Sequence, residues 1–245
     1  MGKKKRKKVS LNGKPFVSVC TPTYNRRKFI PYLIKCFKQQ TYPKELMEWI
    51  IIDDGEDSVE DLFKDVECVK YFRYEEKINL GKKRNLMHTK CKGDIIVYMD
   101  DDDYYPPCRV LSAVNKLTSN KNVLVAGSSA VYIYFKNRQQ MFQFGPYGKY
   151  HATAGTFAFK KELLKITKYE DDANVAEEKK FLKDYTIPMV QLRPEKSILV
   201  FAHNDNTFDK NKLLEHPDPT HVNPIGIKPK NIIKDKELLN FYCNV

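Results

Sequence analysis

"IIVYMDDDDYYP" (residues 95–106) sets five mostly apolar residues directly against four consecutive carboxylates, Asp100 to Asp103. The apolar run has the length of a buried strand, and the charge cluster marks its end. In an extended strand end, side chains two apart point the same way, so Asp100 and Asp102 share one side and Asp101 and Asp103 the other. Unit charges ~6 Å apart repel by roughly 3 kcal/mol at an effective dielectric near 20, so a converging pair beside a buried strand favours a cation. Oxygen ligands of this kind suit Mg²⁺ or Mn²⁺, which complete their shells with water and phosphate oxygens. The competing reading is a solvated acidic loop.

Outward from this stretch, strands and helices alternate. "PFVSVC" (15–20) is short and β-branched and stops at "TPTYN"; "KFIPYLIKCFKQQ" then carries apolar residues at helical spacing, with Pro31 in the tolerated first turn. "EWIII" (48–52) is a second buried-strand pattern ending in "DDGED", and "CVKYFRY" a third. "NLGKKRNLMHTKCKGD" has helix formers through Lys90, with His88 expected on its outer face, and leads into the acidic strand. This order predicts an α/β fold with a mainly parallel sheet joined by right-handed crossovers. Ligands in such sheets bind beyond the carboxyl ends of the strands, so "TPTYN", "DDGE" and "DDDD" should share one rim.

After residue 108 the pattern changes. "VLVAGSSAVYIYF" and "QQMFQFG" predict antiparallel strands, followed by "GTFAFKK", a helix in "AEEKKFLKDY", and strands in "PMVQL" and "SILVFAH". Prolines at 217, 219, 224 and 229 predict an extended wrap before a final helix near Lys230 to Tyr242. The organisation expected is a basic tail (1–14), one catalytic domain (15–214) with halves meeting near 108, and a C-terminal wrap (215–245).

"VSVCTPTYNR" (17–26), "IIIDDGE" (50–56), "NLGKKRN" (79–85) and "GDIIVYMDDDDYYP" (93–106) together resemble, in order and approximate spacing, the nucleotide-binding half of GT-A glycosyltransferases of the family 2 type. The resemblance implies that Thr21, Pro22 and Tyr24 line a nucleobase pocket and that Asp53 or Asp54 accepts from the base. A uracil offers a flat face to Tyr24 and an N–H to a carboxylate. It also implies that Asn79 and Arg84 face the nucleotide, Arg84 by a planar fork suited to phosphate oxygens. Asp100 would contact the ribose or the metal, and Asp102 the metal that bridges the phosphates.

Three later pieces look like the family's acceptor half. "ATAGTF" (152–157) places Gly155 under the donor sugar, "AEEKKFL" (176–182) supplies an acidic pair, and "VFAHND" (200–205) offers His203 to the metal shell. The pair is Glu-Glu where the family usually has Glu-Asp. Neighbouring helix positions differ by ~100°, so one of Glu177 and Glu178 faces inward. Val175, Phe181, Leu182 and Tyr185 mark the apolar side, and Glu178 lies among them, which makes it the expected base. His151, His216 and His221 fall in loops.

The resemblance thus implies a metal-dependent enzyme taking a nucleoside diphosphate sugar, with UDP favoured, and an acceptor of unspecified class. A sugar nucleotidyltransferase would instead open on a glycine-rich, arginine-containing phosphate loop, where this chain has "TPTYNRRK". A non-catalytic scaffold would rest on the opening "MGKKKRKK" alone, a block that supplies much of the formal net charge of +12. No zinc-finger or RNA-binding signature supports a specific nucleic-acid partner. No apolar run approaches the ~18 residues of a membrane span, no signal-peptide core follows the basic start, and the six cysteines are scattered. These features predict a soluble chain in a reducing, cytoplasmic setting of bacterial or viral origin.

Overall fold

A computed structural model describes residues 13–174 and 177–245, so the basic opening lies outside the described residues. Seven strands form the main sheet in the order β3-β2-β1-β4-β8-β5-β9. They are β1 (Val17–Thr23), β2 (Met47–Asp53), β3 (Val69–Arg73), β4 (Ile95–Tyr98), β5 (Val125–Gly127), β8 (Ala158–Lys160) and β9 (Met189–Gln191). β3, β2, β1 and β4 run parallel, and β8 runs antiparallel to both β4 and β5. The mainly parallel α/β reading is therefore correct. A second sheet, in the order β10-β6-β7-β11, contains β6 (Val131–Phe135), β7 (Gln140–Phe144), β10 (Leu199–Ala202) and β11 (Val222–Ile225).

Pleat alternation divides the core. Val17 and Val19 on β1 point into the larger apolar cluster with Trp49 and Ile51, while Cys20 points to the opposite cluster with Ile50, Ile52 and Met87. The helix α1 (Ile30–Lys38) covers the first side through Ile30, Leu33, Ile34 and Phe37, and Phe37 stacks on Trp49 at 4.2 Å. The helix α2 (Leu80–Lys90) covers the other side. Its first turn is crossed so closely by the chain at Glu170 that a Cβ on Gly81 would lie 1.9 Å from the Glu170 carbonyl oxygen. That glycine lets the chain at Glu170 and Ala173 dock on α2.

Several expectations are corrected. β1 continues through Pro22 to Thr23, because Pro22 and its neighbours are buried against β2 in a parallel register. "VLVAGSSAVYIYF" is two strands in two sheets, broken at Ser128–Ala130, so only β6 pairs antiparallel with β7. An additional helix, α3 (Arg109–Ser119), follows the acidic stretch; Val110, Ala113, Val114 and Leu117 recur there at helical spacing. "AEEKKFLKDY" forms a single turn, α4 (Glu178–Phe181), because Lys183, Asp184 and Tyr185 take positive φ and end it. The proline-rich wrap contributes β11, with Pro224 on a sheet edge where its missing N–H costs nothing. The final helix is split into α5 (Pro229–Ile232) and α6 (Lys236–Asn244), the second capped by the Asp235 carboxylate on the amides of Glu237 and Leu238. His88 is not on an outer face: it is buried and bonds the Tyr98 hydroxyl through Nε2 at 2.6 Å.

Candidate active site

The carboxyl ends of β1, β2 and β4 meet at the point where strand order reverses around β1, the expected location for a ligand crevice. β4 ends at Tyr98, and the acidic residues leave it on a bend rather than as a continuing strand. The pleat division into two pairs therefore gives way to a fan. Asp100 turns to Arg84, with Nη1 to Oδ1 at 3.4 Å. Asp102 lies 3.6 Å from His203 Nε2 and accepts from Asn206 Nδ2 at 3.3 Å. Asp103 accepts from the Phe201 amide at 3.3 Å. Arg26 spans two members, reaching Asp101 at 3.7 Å and Asp102 at 3.8 Å.

The second sheet brings His203 here. Tyr104 and Leu199 exchange both backbone hydrogen bonds, 3.1 and 2.9 Å, which fastens the acidic bend to the start of β10. His203 follows the end of β10. Below the bend, the Tyr242 hydroxyl of α6 donates to the Asp103 carbonyl at 3.0 Å.

Burial raises the proton affinity of Asp100, Asp101 and Asp103, and the Asp102 charge adds to it in each; Asp101 is pushed up to about 7. A cluster strained in this way is suited to a cation. Among the described residues no group of three or more His, Cys, Asp or Glu side chains converges as a closed metal cage. The donor set nonetheless fits Mn²⁺ or Mg²⁺ through Asp102 and His203 with substrate oxygens. The Asn206 amide nitrogen lies 2.8 Å from Nε2, the atom that faces Asp102, so a metal bound there would take the place of that amide contact. Burial pulls His203 down to about 4, so the ring is neutral at pH 7, as a ligand must be.

Arg84 is the hub. Its guanidinium is buried, lies 4.5 Å over the Tyr98 ring, and donates from Nε to Glu177 at 2.9 Å while Nη1 faces Asp100. Burial opposes its charge, but Asp100 and Glu177 hold it protonated. Glu177 is thereby locked in an ion pair and is the buried member of the two, whereas Glu178, expected to face inward, is only half-buried. Glu178 lies outside that pair, and burial followed by the Glu177 charge raises its proton affinity. Gly155 backs onto Asp100: a Cβ there would lie 3.0 Å from Oδ2 and 3.2 Å from Ile198.

The nucleobase candidates divide. Thr21 is turned inward, where its hydroxyl donates to the Met99 carbonyl at 2.5 Å and accepts from Trp49 Nε1 at 2.9 Å, so its side chain is closed to a base. Pro22 is buried in β1. Asp53 is committed to the loop after β2, accepting from the amides of Gly55 (2.9 Å) and Val59 (3.1 Å) and from the Tyr71 hydroxyl. Asp54 accepts from the Ile78 amide at 2.6 Å and from buried Lys83. Tyr24 is half-buried, with Lys77 Nζ 4.2 Å over its ring, and Asn79 is exposed at the start of α2. Arg26, Lys83 and Asn206 complete the rim. Their signal in the sequence was adjacency to the motifs, in "YNRR", "GKKRN" and "HNDN".

The match to known proteins agrees with this geometry. The glycosyl transferase family 2 model matches residues 18–184. Over 99 residues the chain is 31% identical to poly(ribitol-phosphate) beta-N-acetylglucosaminyltransferase TarS of Staphylococcus aureus, covering 36% of this chain and 16% of the relative. Over 97 residues it is 33% identical to the GalNAc(5)-diNAcBac-PP-undecaprenol beta-1,3-glucosyltransferase of Campylobacter jejuni, covering 36% and 30%. The matched segments thus span well under half of these relatives. In three dimensions it resembles the mannosyltransferase PcManGT from Pyrobaculum calidifontis in complex with GDP-Man and Mn²⁺ (TM-score 0.62, 16% identity, 79% of this chain and 59% of that one). It resembles S. aureus TarS 1–349 in complex with UDP-GlcNAc equally (TM-score 0.62, 19% identity, 78% and 59%), so the GT-A architecture is shared. Fold, rim and family match agree: the chain belongs to glycosyl transferase family 2.

Proposed function

We propose that the chain moves a sugar from a nucleoside diphosphate sugar, with UDP favoured, to an acceptor hydroxyl with inversion at the anomeric carbon. The observation that carries this reading is Arg84, which joins Asp100 on the nucleotide side to Glu177 on the acceptor side in one buried ion-paired unit. Tyr24, Asp54 and Asn79 border the end where a base and ribose would lie, with Asp100 and Gly155 beside the sugar. Asp102 and His203 would hold Mn²⁺ or Mg²⁺, which when bound supplies Lewis-acid neutralisation of the diphosphate.

Arg84 sits where negative charge collects as the sugar departs. Its planar donors can pass from Asp100 to phosphate oxygens without leaving Glu177. Glu178 accepts the acceptor's hydroxyl proton while the acceptor oxygen bonds the anomeric carbon and the bond to the diphosphate breaks on the opposite face. Its raised proton affinity matches a group that must take a proton near neutral pH.

Two isosteric variants test the assignment. Glu178→Gln is expected to lower transfer by about 10²- to 10⁴-fold with donor affinity retained. Glu177→Gln, which weakens the hold on Arg84, is expected to change donor affinity as well. Near-normal transfer by Glu178→Gln, followed by product chromatography, would remove it as the base.

A further inference from the structure

Beyond the one-turn helix that carries Glu178, a chain of aromatic rings runs toward solvent. Tyr185 lies 4.8 Å from His151, His151 4.9 Å from Tyr147, and Tyr147 5.0 Å from His221, all centroid to centroid. Tyr147 is 45% exposed, and the others are half-buried. The strip starts past that turn, and the Glu178 charge adds to burial in holding the Tyr185 phenol above its usual range.

The rings are held rigidly. Ser129 Oγ accepts from the amides of Tyr147 (2.8 Å) and Gly148 (3.0 Å), and Gln191 Nε2 donates to the carbonyls of Lys149 (2.9 Å) and His151 (3.0 Å). The Gly145 amide donates to the His221 carbonyl at 2.7 Å. Tyr185 is presented by three successive non-glycine residues in the left-handed region, Lys183 (φ 50°), Asp184 (φ 54°) and Tyr185 (φ 61°). Each costs roughly 1 kcal/mol or more, and such strain persists where the surroundings enforce one arrangement. A cavity of about 470 Å³, lined by Ser128, Ser129, Pro146, Tyr147 and Gln191 among others, opens beside the outer ring.

We propose that Tyr185, His151 and Tyr147 form an acceptor subsite that receives a pyranose by its C–H face. This rests on the glycosyl-transfer reading and gives the acceptor a class, a cyclic sugar rather than an open-chain polyol. A pyranose presents several C–H groups on one side, and these match the negative face of an aromatic ring. An alditol has no such face. The fixed loop means that little ordering accompanies binding.

The test uses the full chain and defined probes: methyl β-D-glucopyranoside and methyl N-acetyl-β-D-glucosaminide against the alditol ribitol. Saturation-transfer NMR is expected to label one C–H face of the pyranosides and to leave ribitol unlabelled. Tyr147→Ala and Tyr147→Leu should each weaken pyranoside binding by about tenfold, and Tyr147→Phe by less than about twofold, with UDP binding unchanged in all three. Equal labelling of ribitol and pyranosides, or Tyr147→Ala and Tyr147→Leu binding as wild type does, overturns the subsite. Pyranoside binding lost in these variants, without turnover of any nucleotide sugar by wild type, keeps the subsite and removes the transfer reading. Donor turnover with no pyranoside binding does the reverse.

Discussion

Arg84 is one of a handful of residues whose position decides the site. Its chemistry was legible in "KKRN", but its partner was not: Glu177 is 93 positions away, and no local pattern links them. The same limit explains Thr21. Its motif points to a nucleotide, whereas the hydroxyl is spent on Trp49 and Met99, contacts set by strand register. Lysine cannot reproduce a fork that touches Asp100 and Glu177 together. Arg84→Lys is therefore expected to lose transfer by roughly 10²-fold or more while keeping the fold. Wild-type kcat and donor KM in that variant would show that the fork is dispensable.

At the scale of elements, the strand-end clusters were readable because long apolar runs stop abruptly at polar residues in β1, β2 and β4. The acceptor half was harder. β5, β8 and β9 are three residues each, too short for a period to declare itself, and the turn carrying Glu178 is ended by backbone strain that no hydrophobic pattern announces. α2 yields a pH prediction through His88, which burial pulls down to about 3. An imidazole with an ordinary pKa near 6.5 in the unfolded chain binds protons there first as pH falls. Stability is thus fully present above about 6.5 and is lost on acidification toward 3, at up to roughly 1.4 kcal/mol per pH unit for this group. Urea unfolding at pH 7 and pH 5 should show this slope, and His88→Gln should flatten it by about one proton. An unchanged slope would mean that His88 does not govern it. α6 gives a second prediction: Tyr242→Phe removes the bond to the Asp103 carbonyl and should cost about 1–3 kcal/mol by denaturant midpoint. A midpoint equal to wild type would show that the acidic bend is held without it.

The whole molecule joins two sheets at one bend. The parallel sheet supplies Asp100 and Asp102, the second sheet supplies His203 through the Tyr104–Leu199 bridge, and α2 supplies Arg84 between them. Among the described residues no helix is long and apolar enough to cross a membrane. The most direct test of the central claim is nucleotide-sugar consumption across a panel of UDP- and GDP-sugars, with and without Mn²⁺, comparing wild type with Asp102→Asn. The structure predicts Mn²⁺-stimulated release of nucleoside diphosphate from at least one donor, reduced by about 10²-fold or more in Asp102→Asn. Release that is indifferent to both Mn²⁺ and Asp102, or no release from any donor, would contradict it.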